Sequence, residues 1–263
     1  MRGPGMVAGK YQGEGRALAV KEITSIGSLL DALGEDNREY AGAVWYRGQQ
    51  SAEWRLEPGY VRLNAPISES TLLKKFKQSA AMLIDTSPHD SFDWLFLMQH
   101  YGVPTRLLDW SESPLVALYF AIESGSQDGP AALWSLRPSD LNKNAHINNQ
   151  DEDGFIPSFE DEELKSYSVE SLAQNRRIQL LPLATIATRN SARIQAQLGV
   201  FTIHHHDRTP IESVGNGSHV TKYLIPIGAK GRLLKDLSLL GFNKFQLFPE
   251  LASIGDIIKG GLQ

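Results

Sequence analysis

The sequence of 263 residues contains no cysteine. Disulfides, thiolate nucleophiles and Cys-based zinc sites are therefore excluded, and the absence fits a reducing, cytoplasmic setting. No apolar run approaches the ~18–20 residues that a bilayer-crossing helix requires, so no membrane association is expected. Met1 to Gly15 holds five glycines and lacks the apolar stretch of a signal peptide. It reads as a flexible lead-in over residues 1–16. There is no phosphate loop, no HExxH and no GxSxG, so P-loop NTPase, metalloprotease and ordinary α/β-hydrolase chemistry are poorly supported. A strong charge of one sign is missing too: 26 Lys and Arg stand against 30 Asp and Glu, a net of −4. That argues against a basic groove across the whole protein, though not against a local basic patch.

What is present is enough for a sizeable core: 41% of residues are hydrophobic and 21% charged. No internal repeat is visible. Strands are expected at 17–23, 43–46, 131–136, 200–204 and 221–227. Helices are expected at 26–33 with Ser25 as N-cap, at 68–84, at 91–101 with Ser91 as N-cap, at 115–123 behind Ser113-Pro114, at 191–198 and at 230–240. Residues 245–258 close the chain as a turn or helix. Strands and helices mix without the regular alternation of a doubly wound sheet. The expected class is α+β, a single domain over 17–263 with a mainly antiparallel sheet and packed helices. The acidic, Asn-rich stretch at about 142–170 reads as an exposed insertion, either a solvated loop or a partner-binding segment.

Three segments carry candidate chemistry. In Trp45-Tyr46-Arg47-Gly48-Gln49 an arginine ends an apolar strand, and an unpaired buried guanidinium is costly. Arg47 either clamps an anion such as a phosphate, with Gly48 letting a ligand approach the backbone, or pairs internally with Asp109. In the run from Gln99 to Pro114, Asp109 can orient Arg47 or Arg106. Ser111 and Ser113 stand where a helix begins and its free N–H groups suit anions. His100 is an acid–base candidate or a structural cap. In Phe245 to Leu251 the carboxylate of Glu250 follows two phenylalanines and a proline. It is either chemically useful or a helix-start carboxylate favoured by the dipole behind Pro249. His204-His205-His206 invites a metal reading, but strand neighbours point to opposite faces. A strand end in solvent is expected there, and no metal site.

At these residues the chain resembles the FRG domain family, named for a Phe/Tyr-Arg-Gly signature, here Tyr46-Arg47-Gly48 followed by Gln49. The family's second block, an HxGxPTRLLDWT-like run with an ALYFA-like helix, stands as His100 to Ser111 and Val116 to Ala121. Later similarities are Ala131 to Leu136, Arg193 to Thr202 and Leu247 to Leu251, so the resemblance spans about 20–258. Ser111 stands where Thr is common, and Glu250 where Asp often occurs.

A looser resemblance to ADP-ribosyltransferases rests on the order of Arg47, then Asp109-Trp110-Ser111 with the helix Ala117 to Ala121, then Glu250. It implies an ADP-ribosyltransferase-like fold and NAD as ADP-ribose donor. Arg47 would hold the pyrophosphate, and Ser111 or Ser113 would position the nicotinamide ribose. Trp110 or Tyr101 would stack on a ring. Glu250 would be the catalytic carboxylate that stabilises the oxocarbenium-like centre. Tyr46, Gly48, Gln49, Arg106 and Asp109 complete the expected cofactor site. The acceptor would be a macromolecule, nucleic acid being favoured over protein because Arg176-Arg177, Arg189 and Arg193 cluster. A bacterial toxin or antiviral-defence effector would fit, with an antitoxin or regulatory protein docking on the acidic segment. The alternatives are a non-catalytic nucleotide- or RNA-binding module and an interaction domain built on an Arg47–Asp109 ion pair.

Overall fold

The computed structural model describes residues 20–63, 67–84, 88–123, 129–147, 154–188 and 191–260. The lead-in at 1–16, Asp151 to Asp153 and Arg189 lie outside them. In chain order the elements are β1 (Lys21–Glu22), α1 (Ile26–Asp36), β2 (Trp45–Gln49), α2 (Gly59–Leu63), α3 (Glu69–Ala80), α4 (Ser91–His100), β3 (Leu107–Ser111), α5 (Pro114–Ile122), β4 (Ala131–Leu136) and α6 (Pro138–Asn144). There follow α7 (Glu162–Lys165), α8 (Val169–Gln174), β5 (Leu183–Thr185), α9 (Ala192–Ala196), β6 (Gly199–Ile203), β7 (Val220–Ile225), α10 (Ile227–Leu239), α11 (Lys244–Leu247) and α12 (Leu251–Gly260).

Among the described residues the strands form one sheet of seven in the order β1-β7-β4-β2-β3-β6-β5. All pairs are antiparallel except β1 with β7. The fold is thus α+β around a mostly antiparallel open sheet, as the mixed element pattern predicts. Strand β2 runs on to Gln49, so Arg47 lies within the strand and not at its end. The cap of α4 is Asp90, whose carboxylate accepts from the N–H groups of Phe92 and Asp93 at 2.8 and 2.9 Å, while Ser91 is the first helical residue. An ionised carboxylate is the stronger acceptor at a helix start.

Alternation along the strands sorts the core. One face carries Tyr46, Gly48, Leu133 and Tyr223 on one side of the sheet, and Leu107, Phe201, Ile203 and Leu183 on the other. The first set joins α1, α5 and α10 in one apolar cluster, and the second joins α3, α4 and α8 in another. The opposite face packs Trp45, Leu108, Trp110, Ala132, Leu136 and Val200 into a third.

Helix α5 is apolar all round and buried on most sides, as such a helix must be. Ser113 caps it and Pro114 opens it. It presses on β2 at Gly48, where a Cβ would come within 1.9 Å of the Ala117 carbonyl oxygen and 2.6 Å of the Ala121 nitrogen. Glycine is needed there so that a helix can lie on a strand.

The stretch at 142–170 is tied to the core more firmly than its composition suggests. Asn142 is buried, and its amide bonds both the N–H and the carbonyl of Ala184. Leu164, Tyr167 and Val169 are buried in the α3–α4–α8 cluster. Of its described acidic residues Glu160, Glu162 and Glu170 are exposed, and Asp161 and Glu163 are half-buried.

Candidate functional site

Between the two apolar clusters on one face of the sheet lies a trough, and its floor is the junction of β2 with β3. Among the described residues these strands share a single paired position, Tyr46 with Ser111, whereas β2–β4 and β3–β6 each pair over five. Where the ladder stops, the side chain of Arg47 takes over: its Nη1 donates to the Asp109 carbonyl oxygen at 2.6 Å. Its Nε is shielded from solvent and has no hydrogen-bond partner. Burial lowers the proton affinity of this guanidinium, the Asp109 carboxylate opposes that, and the nearby cation of Arg62 adds to it. The carboxylate of Asp109 is itself held by Gln99, whose Nε2 donates at 2.6 Å. Arg47 and Asp109 therefore meet through a carbonyl and not as a closed ion pair.

The resulting cavity has a volume of about 920 Å³, within the range of small-molecule sites. Arg47, Tyr46, Asp109, Ser111, Gln99 and His100 form its polar wall, and Phe96, Leu97, Ile84 and Ile194 its apolar side. Burial raises the Tyr46 phenol pKa. Tyr101 stands exposed at the mouth, with its ring edge-on to His100 at 4.9 Å.

Several residues expected at the site are engaged elsewhere. The Gln49 amide is used at both ends, donating to the Arg55 carbonyl at 3.0 Å and accepting from Trp134 Nε1 at 2.9 Å. Trp110 borders the cavity, as Gln49 does, but its ring packs in the apolar cluster of the opposite face with its Nε1 donating to Thr202 Oγ1 at 3.1 Å. Ser113 spends its hydroxyl capping α5. Ser111 borders the cavity, but its hydroxyl already donates to the Gln197 carbonyl at 2.7 Å and accepts from the Ser113 N–H.

Arg106 departs furthest from expectation. It is buried, its Nε donates to Glu69 Oε2 at 2.6 Å, and its terminal nitrogens donate to the carbonyls of His204 and Tyr167. Its own N–H donates to Glu69 Oε1 at 3.0 Å. It is a structural cation with every direction filled.

Glu250 stands just outside the trough wall, in the residue before α12. Its Oε1 is shielded and without a hydrogen bond, 3.7 Å from His100 Nε2 and 3.9 Å from Arg193 Nη1, and both of those residues line the cavity. Arg193 also lies over the Phe248 ring at 4.8 Å and donates to the His100 carbonyl at 3.4 Å. The side chain of Gln197, another lining residue, donates to the Leu247 carbonyl at 3.0 Å. These contacts pin the α11–α12 segment against α9 and the end of α4.

Two lining carboxylates, Asp93 and Glu123, escaped the sequence reading. Glu123 follows the last residue of α5 and faces the cavity. Burial raises its pKa, opposed by the positive charges of Lys244 and Arg193. The signal was available, because a lone carboxylate closes an otherwise apolar helix.

The histidine run does not end in solvent. His204 and His205 are buried, His204 Nε2 sits 3.1 Å from the Thr209 carbonyl, and His206 Nε2 sits 3.2 Å from that of Leu172. Among the described residues no group of three or more His, Asp or Glu is placed to hold a metal ion, and no helix is long and apolar enough to cross a membrane.

Residues 42–130 match the family model of the FRG domain. The match takes in the Tyr46-Arg47-Gly48 signature, the His100 to Ser111 block and α5. That supports the FRG family for this part of the chain, and the similarities at Arg193 to Thr202 and Leu247 to Leu251 fall outside it. Neither a curated protein nor a solved structure matches the chain.

Proposed function

We propose that the trough is a nucleotide site and that the protein transfers ADP-ribose from NAD to a macromolecule. The observation that carries this reading is the open chemistry of one wall. Arg47 presents a shielded, partner-free Nε next to Tyr46, the residue that pairs with Ser111 on the neighbouring strand, and all three line a cavity of about 920 Å³. A shielded cation without a carboxylate of its own is a cost that a phosphate oxygen removes. The Arg-strand and the Ser-strand are neighbours in the sheet with the apolar helix following, which agrees with the motif order on which the resemblance to ADP-ribosyltransferases rests. The apolar side at Phe96, Leu97 and Ile84 suits a base, and Tyr101 can stack at the mouth.

In this mechanism Arg47 holds the pyrophosphate. The bond between the nicotinamide nitrogen and ribose C1′ breaks, and its electron pair leaves on nicotinamide. Glu250, with its shielded oxygen, stabilises the positive ribose. The acceptor nucleophile bonds to C1′ and gives its proton to Glu123, the carboxylate that lines the cavity at the end of α5. Nucleic acid remains the favoured acceptor. Such an activity needs restraint in its own cell, so the reading extends to a toxin or antiviral-defence effector held by a regulatory protein. The exposed acidic residues Glu160, Glu162 and Glu170 are the surface offered for that contact.

The test pairs labelled NAD with two variants. Glu250→Gln keeps size but loses charge. It should bind NAD normally and release nicotinamide ~10²–10³ more slowly. Arg47→Ala should lose NAD binding itself, because its phosphate partner is present from the start. Full transfer by Glu250→Gln would remove that residue from the mechanism. NAD binding without nicotinamide release by the wild type would instead favour a non-catalytic nucleotide-binding module, a reading to which Glu250's place outside the cavity wall already lends some weight.

A further inference from the structure

Arg47 borders a second cavity as well. It has a volume of about 450 Å³ and shares Arg47, Gln99 and Asp109 with the trough, adding Arg62, Gly102 and Thr105 among others. Most polar groups of this wall are accounted for internally. The Gly102 N–H donates to the Gln99 carbonyl at 3.0 Å, and that of Val103 to the Met98 carbonyl at 2.9 Å. Thr105 Oγ1 donates to Gln99 Oε1 and accepts from the Leu107 N–H at 3.2 Å. Gln99 Nε2 is spent on Asp109.

Two guanidiniums are left over. Arg47 spends one terminal nitrogen on the Asp109 carbonyl and its Nε is the donor offered to the trough, yet among the described residues no carboxylate lies within ion-pair distance of its charge. Arg62 is exposed, its recorded contact being a distant one over the Trp54 ring at 5.9 Å, and among the described residues no carboxylate lies within ion-pair distance of it. Arg62 lies close enough to disfavour the charge on Arg47. Two arginines against the single carboxylate of Asp109 give this wall a positive balance. Like charges held together without a counter-ion are costly, and an oxyanion between them reverses the sign of the interaction.

We propose that the smaller cavity is a phosphate site, in which Arg62 and the far side of Arg47 bracket a phosphate monoester or diester distinct from the nucleotide in the trough. It deepens the transferase reading in one respect, for a phosphate held behind Arg47 places an acceptor next to the donor. The site itself depends only on the two arginines.

The experiment is a titration of the full chain with inorganic phosphate at low ionic strength, without NAD. The wild type should bind saturably. Arg62→Ala should bind at least about tenfold more weakly, the effect of removing one charge-assisted donor. Arg38→Ala, which removes an equal charge from an exposed position lining neither cavity, should match the wild type. Circular dichroism of each variant controls for folding. Absence of saturable binding, unchanged affinity in Arg62→Ala, or an equal loss in Arg38→Ala would each overturn the proposal.

A 5′-phosphorylated dinucleotide that binds tighter than its hydroxyl form assigns the phosphate to a strand end, whereas equal binding of the two with inorganic phosphate still bound assigns it to a small anion. A separate NAD titration keeps the two readings apart. Lost phosphate binding with intact NAD binding defeats this inference alone, and the converse defeats the nucleotide reading alone.

Discussion

Arg47 and Arg106 are the same side chain in two regions of one sheet. Around Arg106 the protein supplies a buried carboxylate and two carbonyls, so charge and donors are satisfied before any ligand arrives. Around Arg47 it supplies one carbonyl and leaves the Nε shielded and empty. The difference follows from the ladder. At Arg106 the chain enters β3, which pairs with β6 over its whole length, and α3 and α8 close over it. At Arg47 the strands β2 and β3 have just parted. A saturated cation belongs to architecture, and an unsaturated one is an invitation to a ligand.

The comparison breaks first on stability. Arg106→Ala leaves Glu69 buried and unpaired, and should cost about 3–5 kcal/mol, read as a shift in denaturant midpoint. Wild-type stability in that variant would erase the distinction. Arg47→Ala should cost less than about 1 kcal/mol while abolishing nucleotide and phosphate binding; a large stability loss would move Arg47 into the architectural class.

The next effect is on pH, in the same closed region. Burial lowers the pKa of His204 and of His205 from 6.5 to about 4. The unfolded chain therefore takes up these protons first as pH falls. Stability from these groups is full above pH ~6.5, declines towards pH ~4 and changes no further below it. The loss from His204 alone is on the order of 3 kcal/mol. Denaturant midpoints at pH 7, 5.5 and 4 should fall less steeply in His204→Gln than in the wild type.

The smaller effect sharpens the open region. Gly48→Ala drives a methyl into the backbone of α5 and should cost about 1–3 kcal/mol, with nucleotide binding weakened through the displaced strand. Unchanged stability would mean that α5 lies on β2 more loosely than these distances allow.

Local chemistry made much of this legible in advance. The Ser113-Pro114 start of α5, the Ser25 cap and the apolar run of β4 need only nearest neighbours to be read. Arg47 and Asp109, charged residues embedded in apolar runs, do border one cavity together with Tyr46 and Ser111, whereas Glu250, embedded in the same way, stands just outside it. Trp110, Gln49 and Arg106 carried the same kind of signal and are spent internally. The reason is non-local: Thr202, Trp134 and Glu69, which occupy them, lie 92, 85 and 37 residues away. Glu123 was missed because its meaning comes from Arg193 and Lys244, brought to it by the return of the chain.

By itself the sequence determined the α+β class, the starts of α1 and α5 and the set of polar groups that had to find partners, since propensity, capping and burial cost act over a few residues. Tertiary structure alone decided which of those groups found them. A strand register places Trp110 on one face and Ser111 on the other. A ladder that stops after one pair leaves Arg47 open while Arg106 is closed, because a hydrogen bond is satisfied by whatever the fold brings within 3 Å, not by what stands beside it in the chain.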